Sequence, residues 1–413
     1  MPTINADRLL SDLKRLRDFG SIGNGTGVVR QSFSKIDIDS RHWLIERLQA
    51  AGLRASLDGV GNVIGRSGNG GKALLIGSHT DTQPTGGWLD GAMGVIYGLE
   101  VARALAEDPD TSDLPVDVAS WIDEEGTFFG MLGSISFCDF LPDGAIDNCV
   151  GRDGVRLQDV MREAGVSDLP VARYDTERYL GYLEAHIEQG PYLEARQKRI
   201  GVVTSIIGMR DFDIDFVGEQ NHAGTTPMRL RKDAGAALLD YCHQVRTCFP
   251  DLMGERTVFT IGQVTFEPGA PSIIPGKASM ILQFRDPEES RLDRLQAIAT
   301  ELAEQMDREG PVSVSIKLRS NDVAAESMDV GFQNHLATAA EQHASGDWEH
   351  MPSGAAHDAQ TLARRMPAGM LFVPSIKGVS HSFTEDTDEA DIALGCQVLA
   401  TATASILREA NPR

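Results

Sequence analysis

Apolar strands alternate with helical stretches from residue 5 to about 200, stop, and resume after about residue 323, which leaves few architectures open. "KALLIGS" and "VDVASWI" read as buried strands, and residues 39–52 and 91–107 as helices, "HWLIERLQAAG" ending on a glycine cap. Such alternation implies a largely parallel sheet with helices packed on its faces. The interrupting run has another order. "RDFDIDFVGE" reads as a strand, 231–248 as a helix, and "RTVFTIGQVTFEP" and "ASMILQFRDP" as two strands. "ESRLDRLQAIATELAEQMDREG" then gives a long helix and "PVSVSIKLRS" a last strand. The order βαββαβ is that of a ferredoxin-like unit. The expected fold is therefore α/β. One domain, residues 1–210 and 323–413, has a mostly parallel central sheet, and an α+β ferredoxin-like domain, residues 211–322, is inserted into it. "GMLFVPS" and a closing helix near 387–409 complete the first domain.

A chain of 413 residues has ample core to fold without a disulfide. Its formal charge of −22 argues against nucleic acid or an anionic membrane as partner, since both call for basic patches. Five cysteines without a CxxC pair suit a reduced compartment. The start, "MPTINADRLLSDLKRL", reads as an amphipathic helix capped by Asn5 or Asp7 and lacks the marks of a signal peptide. No segment approaches the ~20 apolar residues of a membrane span. The expectation is a cytoplasmic protein.

Four strand patterns give way to metal-ligand residue types. They are "LLIGSHTD" with His79 and Asp81, "VASWIDEEG" with Asp123, Glu124 and Glu125, "YLEAHIEQG" with His186, and "LFVPSIKGVSHS" with His381. Asp90 follows the first after a glycine-rich bend. Open α/β sheets bind ligands outside the carboxyl ends of their strands, so these ends could converge. Imidazole with carboxylate suits zinc, and also manganese, cobalt or nickel. Two ions ~3.5–4 Å apart need a bridging carboxylate. Plainer readings stand beside this one. Adjacent carboxylates at 124 and 125 are commonly a solvated strand end, and His42, His243, His335, His343 and His350 read as surface or packing residues.

The stretches "GSHTDTQPTGGWLDGAMGV", "DEEG", "LEAHIEQGPYLE", "GEQNHAGTTPM", "PSGAAHDAQ" and "VPSIKGVSHS" follow one another over nearly the whole chain. In them the chain resembles the M20-type metallopeptidase superfamily, in its hydantoinase/carbamoylase branch of amidases. That branch contains N-carbamoyl-L-amino acid hydrolases, allantoate amidohydrolases and β-ureidopropionases. The resemblance implies a hydrolase of linear amide or ureido C–N bonds in small carboxylate-bearing substrates, using two divalent metal ions. It implies His79 and His186 on one metal, Glu125 and His381 on the other, and Asp90 bridging them. Asp81 is similar to the carboxylate that orients a metal-ligating histidine. Glu124 resembles the general base, although adjacency alone leaves Glu124 and Glu125 interchangeable. His222 resembles a histidine that reaches into a partner subunit's site and stabilises the oxyanion, which implies a homodimer through the inserted domain, with domain closure. The plainer reading of His222 is a turn residue bonding its own loop. Arg285 matches an arginine that grips the substrate carboxylate, a task suited to a bidentate guanidinium; the alternative is a salt bridge with Asp286 or a nearby glutamate. Gln189, His357 and the Gly378–Ser380 backbone are further candidates for the pocket wall.

The chain departs from the branch at three places. Ser272 stands where an asparagine that contacts substrate is usual, Phe128 where arginine is common, and Trp88 where arginine or another polar residue is common. The two aromatics read either as the wall of a larger, more apolar pocket or as packing at a domain interface. Two rival functions remain beside the first. One is an aminoacylase- or dipeptidase-like hydrolase of N-acyl amino acids; the other is a non-catalytic dimeric binding protein of the same fold.

Overall fold

The computed structural model describes residues 1–23, 25–151, 153–319 and 323–411. Contacts divide the chain into two compact units, Met1–Thr204 with Ser327–Arg413, and Ser205–Glu326. The expected boundary at 322 lies outside the described residues.

In the first unit the sheet runs in the order Arg54–Leu57, Val63–Arg66, Val116–Trp121, Ala73–His79, Tyr179–Ile187, Ala368–Val373, Ile200–Ile206. The expectation of a mostly parallel sheet holds only at its centre. Val116–Trp121, Ala73–His79, Tyr179–Ile187 and Ala368–Val373 are mutually parallel, whereas Arg54–Leu57, Val63–Arg66 and Ile200–Ile206 pair antiparallel. The sheet is therefore mixed. For the first two strands the reason is connection length: Leu57 and Val63 are joined by a short turn, and a parallel pair needs a crossover of a dozen residues or more. Every residue of Ala73–His79, Val116–Trp121 and Ala368–Val373 is buried, as befits strands covered on both faces.

Local chemistry sets the helix ends. Asn5 caps Ala6–Asp18 by accepting the Arg8 N–H at 3.0 Å. Ser34 caps Lys35–Ala50 through the Asp37 N–H, so that helix starts earlier than its glycine-terminated end suggested. From it, Arg41 pairs with Asp37 at 2.9 Å, both fully buried, and donates to the carbonyls of Ser120 at 3.3 Å and Trp121 at 3.2 Å. This pins the strand end that leads into Asp123 and Glu124.

One expectation fails. The helix Glu389–Ala410 has the length and, with a mean hydropathy of 1.5, the apolarity of a membrane span. Its apolar positions, among them Val398, Leu399 and Leu407, lie buried in the first unit's core with Leu99 and Leu371, which marks it as a core helix.

The second unit has an antiparallel sheet in the order Ser313–Leu318, Gly208–Val217, Lys277–Asp286, Val258–Glu267. Helices Ala234–Cys248 and Glu289–Glu309 supply Leu238, Tyr241, Leu292 and Leu295 to a core with Phe212, Phe216 and Phe284.

Candidate metal centre

His79 ends the strand Ala73–His79 and His186 lies near the end of Tyr179–Ile187. Both are buried. His79 Nδ1 is 3.0 Å from the Asp81 carbonyl oxygen, and His186 Nδ1 is 2.9 Å from that of Ile187. A carbonyl can only accept, so each Nδ1 carries a proton, and the neutral form of each ring has its lone pair on Nε2. These Nε2 atoms face one carboxylate oxygen: Asp90 Oδ1 lies 3.6 Å from His79 and 3.1 Å from His186. The other oxygen, Oδ2, is 3.0 Å from Nε2 of half-exposed His381, which is 3.7 Å from Glu125 Oε1. Asp90 is thus shared by two groups, His79–Asp90–His186 and Asp90–Glu125–His381, each with its ligand atoms within 4.8 Å of one another.

Acceptors this close repel unless a proton or a cation lies between them. Imidazole nitrogen with carboxylate oxygen is the donor set of a divalent transition metal, so the residues fit such ions. The surrounding charge agrees. Burial, then Glu125, Asp358, Asp81 and Asp90, push Glu124 well above the usual carboxylate range. Burial and Asp90 push Glu125 up to about 8. Glu124 Oε2 sits 3.6 Å from His79 Nε2, outside both groups. Asp81 accepts the Ser32 hydroxyl at 2.9 Å and the Glu125 N–H at 3.2 Å through Oδ2. Its Oδ1 has no hydrogen-bond partner among the described residues and lies 3.7 Å from His79 Nδ1.

The backbone between these residues is tightly fitted. Gly91 has φ +62°, and a Cβ there would lie 2.4 Å from the His79 ring. Asp123, Gln189 and His381 all take positive φ, at 56°, 58° and 51°. Asp123 serves the loop rather than the centre, its carboxylate accepting the N–H groups of Thr127, Phe128 and Phe129 at 2.8, 3.0 and 2.7 Å.

The remaining candidates separate by position. Gln189 Nε2 reaches Asp90 Oδ2 at 3.1 Å and the Ser380 hydroxyl at 3.2 Å. His357 is 2% exposed and packs edge-on behind His186, with ring centroids 4.5 Å apart. Gly378 fastens two loops, a Cβ there falling 2.8 Å from the Pro191 nitrogen. His222, Ser272 and Arg285 belong to the second unit. His222 is exposed, and its Nδ1 accepts the N–H groups of Gly224 at 3.0 Å and Thr225 at 3.2 Å. The loop-bonding reading therefore holds, and it leaves Nε2 as an outward-facing donor. The exposed Ser272 lies beside it, its carbonyl accepting the Ala223 N–H at 2.9 Å. Arg285 donates Nε to Gln283 Oε1 at 2.9 Å, while Asp286 pairs with Arg291 instead.

Trp88 and Phe128 pack inside the first unit. Trp88 is 4% exposed, donates Nε1 to Asp386 Oδ1 at 3.1 Å and lies under the Arg17 guanidinium. Phe128 meets Phe33 edge-on in a small cluster with Ile122 and Leu132. Sequence reasoning passed over Gln83 and Glu385. Gln83 gives its backbone N–H to Glu125 Oε1 at 3.2 Å and its side-chain amide to Oε2 at 2.7 Å. Glu385 is buried between the loops carrying Asp90 and His381; burial and Asp90 push it up to about 7. An acid four positions after His381 in "HSFTED" was the only available signal.

These shifts predict how chelation depends on pH. Glu124, Glu125 and Glu385 have folded pKa values raised above their unfolded ones. The folded chain therefore binds more protons above about pH 4.5, and stability falls as pH rises toward about 8. His186 and His381, both pushed up to about 9, act in the same direction. A cation offsets the repulsion once these carboxylates ionise. The loss of Tm on adding a chelator should be larger near pH 8 than near pH 5, as differential scanning fluorimetry would read. An equal loss at both pH values would count against the carboxylate cluster as the cation site.

The sequence profile of peptidase family M20/M25/M40 matches residues 75–405. The N-carbamoyl-L-amino-acid amidohydrolase of Paenarthrobacter aurescens is 34% identical over 405 residues, 95% of this chain and 96% of that protein. The allantoate amidohydrolase of Bacillus subtilis (strain 168) is 32% identical over 93% of each chain. The crystal structure of a hydantoinase/carbamoylase-family amidase from Burkholderia phymatum matches over all of both chains, with a TM-score of 0.92 and 49% identity. Donor set and likeness agree on a metal-dependent hydrolase: the chain belongs to peptidase family M20/M25/M40 and, within it, to the hydantoinase/carbamoylase amidases.

Proposed function

We propose that the chain hydrolyses a linear amide or ureido C–N bond in a small carboxylate-bearing substrate, an N-carbamoyl amino acid or a close relative. The observation that carries this reading is the single buried carboxylate of Asp90, with its two oxygens turned to two different histidine groups and Glu124 beside them. His79, Asp90 and His186 would hold one divalent cation, and Asp90, Glu125 and His381 the other. Zinc suits these donors best, and manganese, cobalt and nickel accept them. When bound, such ions supply Lewis acidity, lowering the pKa of water and polarising a carbonyl.

Glu124 takes the proton of the attacking water and returns it to the departing nitrogen. For a carbamoyl substrate the products are the free amine and carbamate, which breaks down to CO2 and ammonia. Arg285 holds the substrate carboxylate; its freedom from Asp286 supports that role. The Asp81 main-chain carbonyl, 3.0 Å from His79 Nδ1, keeps that ring in its Nδ1–H tautomer, with the Asp81 carboxylate 3.7 Å away.

His222 donates its Nε2–H to the oxyanion in the site of a second copy. The second unit, which we read as ferredoxin-like, serves as the dimerisation and lid domain. Its edge strand Val258–Glu267 supports this, exposing Val258 at 53%, Val264 at 43% and Phe266 at 38%. We place the protein in a reducing, cytoplasmic setting, in keeping with five free cysteines. The names of the relatives favour amide and ureido chemistry over N-acyl hydrolysis or mere binding.

The test is a hydrolysis panel on protein reconstituted with Zn, Mn, Co or Ni. It contains N-carbamoyl-L- and D-amino acids, allantoate, ureidopropionate and N-acyl amino acids. Turnover of acyl substrates alone would overturn the first reading in favour of the aminoacylase. For His222→Ala, loss of one oxyanion donor should lower kcat by about 10²–10³-fold with cation content unchanged. Full activity in that variant would remove the proposed role.

A further inference from the structure

Glu385 ties together two ligand loops that are almost 300 positions apart in sequence, at a point that none of the ligand roles above accounts for. Its Oε1 accepts the N–H groups of Leu89 at 3.2 Å and Asp90 at 3.1 Å. Its Oε2 accepts the Ser380 hydroxyl at 2.9 Å and the His381 N–H at 3.3 Å. One fully buried carboxylate therefore spends both oxygens on the backbones of two proposed ligands of the same cation. The fit depends on glycine: a Cβ at Gly87 would lie 2.1 Å from Glu385 Oε1. The neighbouring residue adds a second fastening. Asp386 accepts Trp88 Nε1 at 3.1 Å, and its carbonyl accepts the Ile376 N–H at 3.0 Å.

We propose that Glu385 is a positioning residue that holds Asp90 and His381 in register, and so sets the affinity of the Asp90–Glu125–His381 group for its cation. The Trp88–Asp386 bond supports the same strap, which gives Trp88 a task unrelated to substrate. A carboxylate suits the seat because all four partners donate, and hydrogen bonds to a charged acceptor are the stronger kind. An amide in its place keeps one oxygen and turns an NH2 group toward other donors, so one of the two loops is released. Partners that orient metal ligands are worth about 10–100-fold in metal affinity.

The inference rests on the metal-centre reading, and the experiment separates the two. Chelator-stripped wild type, Glu385→Gln and Gly87→Ala are titrated with Zn²⁺ and with Mn²⁺ by calorimetry, with circular dichroism as the check on folding. Wild type should take two equivalents. In Glu385→Gln one of the two binding events should weaken by about 10–100-fold while the other persists. Its kcat should recover as Mn²⁺ is raised, with KM unchanged, which a folding defect would not allow. Gly87→Ala displaces the carboxylate without removing its charge and should show the same selective weakening; it decides the matter should Glu385→Gln fail to fold. Two folded variants binding both equivalents as wild type does would overturn the role of Glu385 alone. Absence of cation binding in wild type would overturn the metal centre and this inference with it.

Discussion

Glu124→Gln should lower kcat by about 10²–10⁴-fold while leaving cation stoichiometry, KM and fold close to wild type. Glutamine keeps the shape and removes the ability to take and return a proton. The two adjacent glutamates differ in what holds them. Glu125 is gripped at both oxygens by Gln83 and faces His381 at 3.7 Å. Glu124 lies 3.6 Å from His79 Nε2 and belongs to neither ligand group. Its pKa is raised well above the usual carboxylate range, by burial first and then by the acids around it. Glu125→Gln should behave in the opposite way, losing a cation before it loses chemistry. Metal analysis beside steady-state kinetics on both variants reads the distinction. If Glu124→Gln lost a cation and Glu125→Gln kept both, the two roles would have to be exchanged.

The sequence made the centre of the first sheet legible because strands buried on both faces leave long apolar runs, as in "KALLIGS" and "VDVASWI". The antiparallel flanks were less readable. Whether short strands such as Arg54–Leu57 and Val63–Arg66 run parallel or antiparallel depends on the turn between them and not on their own pattern. The ligand types were visible since His79, Glu125, His186 and His381 each stand where an apolar strand pattern ends. The residues that hold those ligands were not. Glu385 acts on backbone N–H groups, and a hydrogen bond to a backbone leaves no mark on the residue that donates it. Trp88 was misleading for a related reason. A large aromatic beside a ligand suggests a pocket wall or packing at a domain interface, but its indole is seated on Asp386, almost 300 positions away in sequence.

Asp90→Asn should reduce cation binding from two equivalents to at most one and lower turnover by at least about 10³-fold, since losing metal activation costs several kcal/mol. Each carboxylate oxygen faces a different group: Oδ1 looks to His79 and His186, and Oδ2 to His381. Asparagine can present its one oxygen to only one of them, and its NH2 group cannot ligate. The same substitution should also lower the stability of the chelated protein. The Asp90 backbone N–H still reaches Glu385 at 3.1 Å, and Asp90 is among the charges that raise Glu124, Glu125 and Glu385. Removing that charge relieves this repulsion, but it also takes from His186 and His381 the hydrogen-bonded carboxylate that pushes both up to about 9 and is itself held well below the usual range, so chelated Asp90→Asn should melt below the chelated wild type. With saturating Zn²⁺ the gap should widen, because only wild type gains the binding energy of two ions. Melting curves with and without chelator, set beside metal content, test both halves. A variant that kept two equivalents and wild-type turnover would mean that Asp90 is not the carboxylate the two groups share.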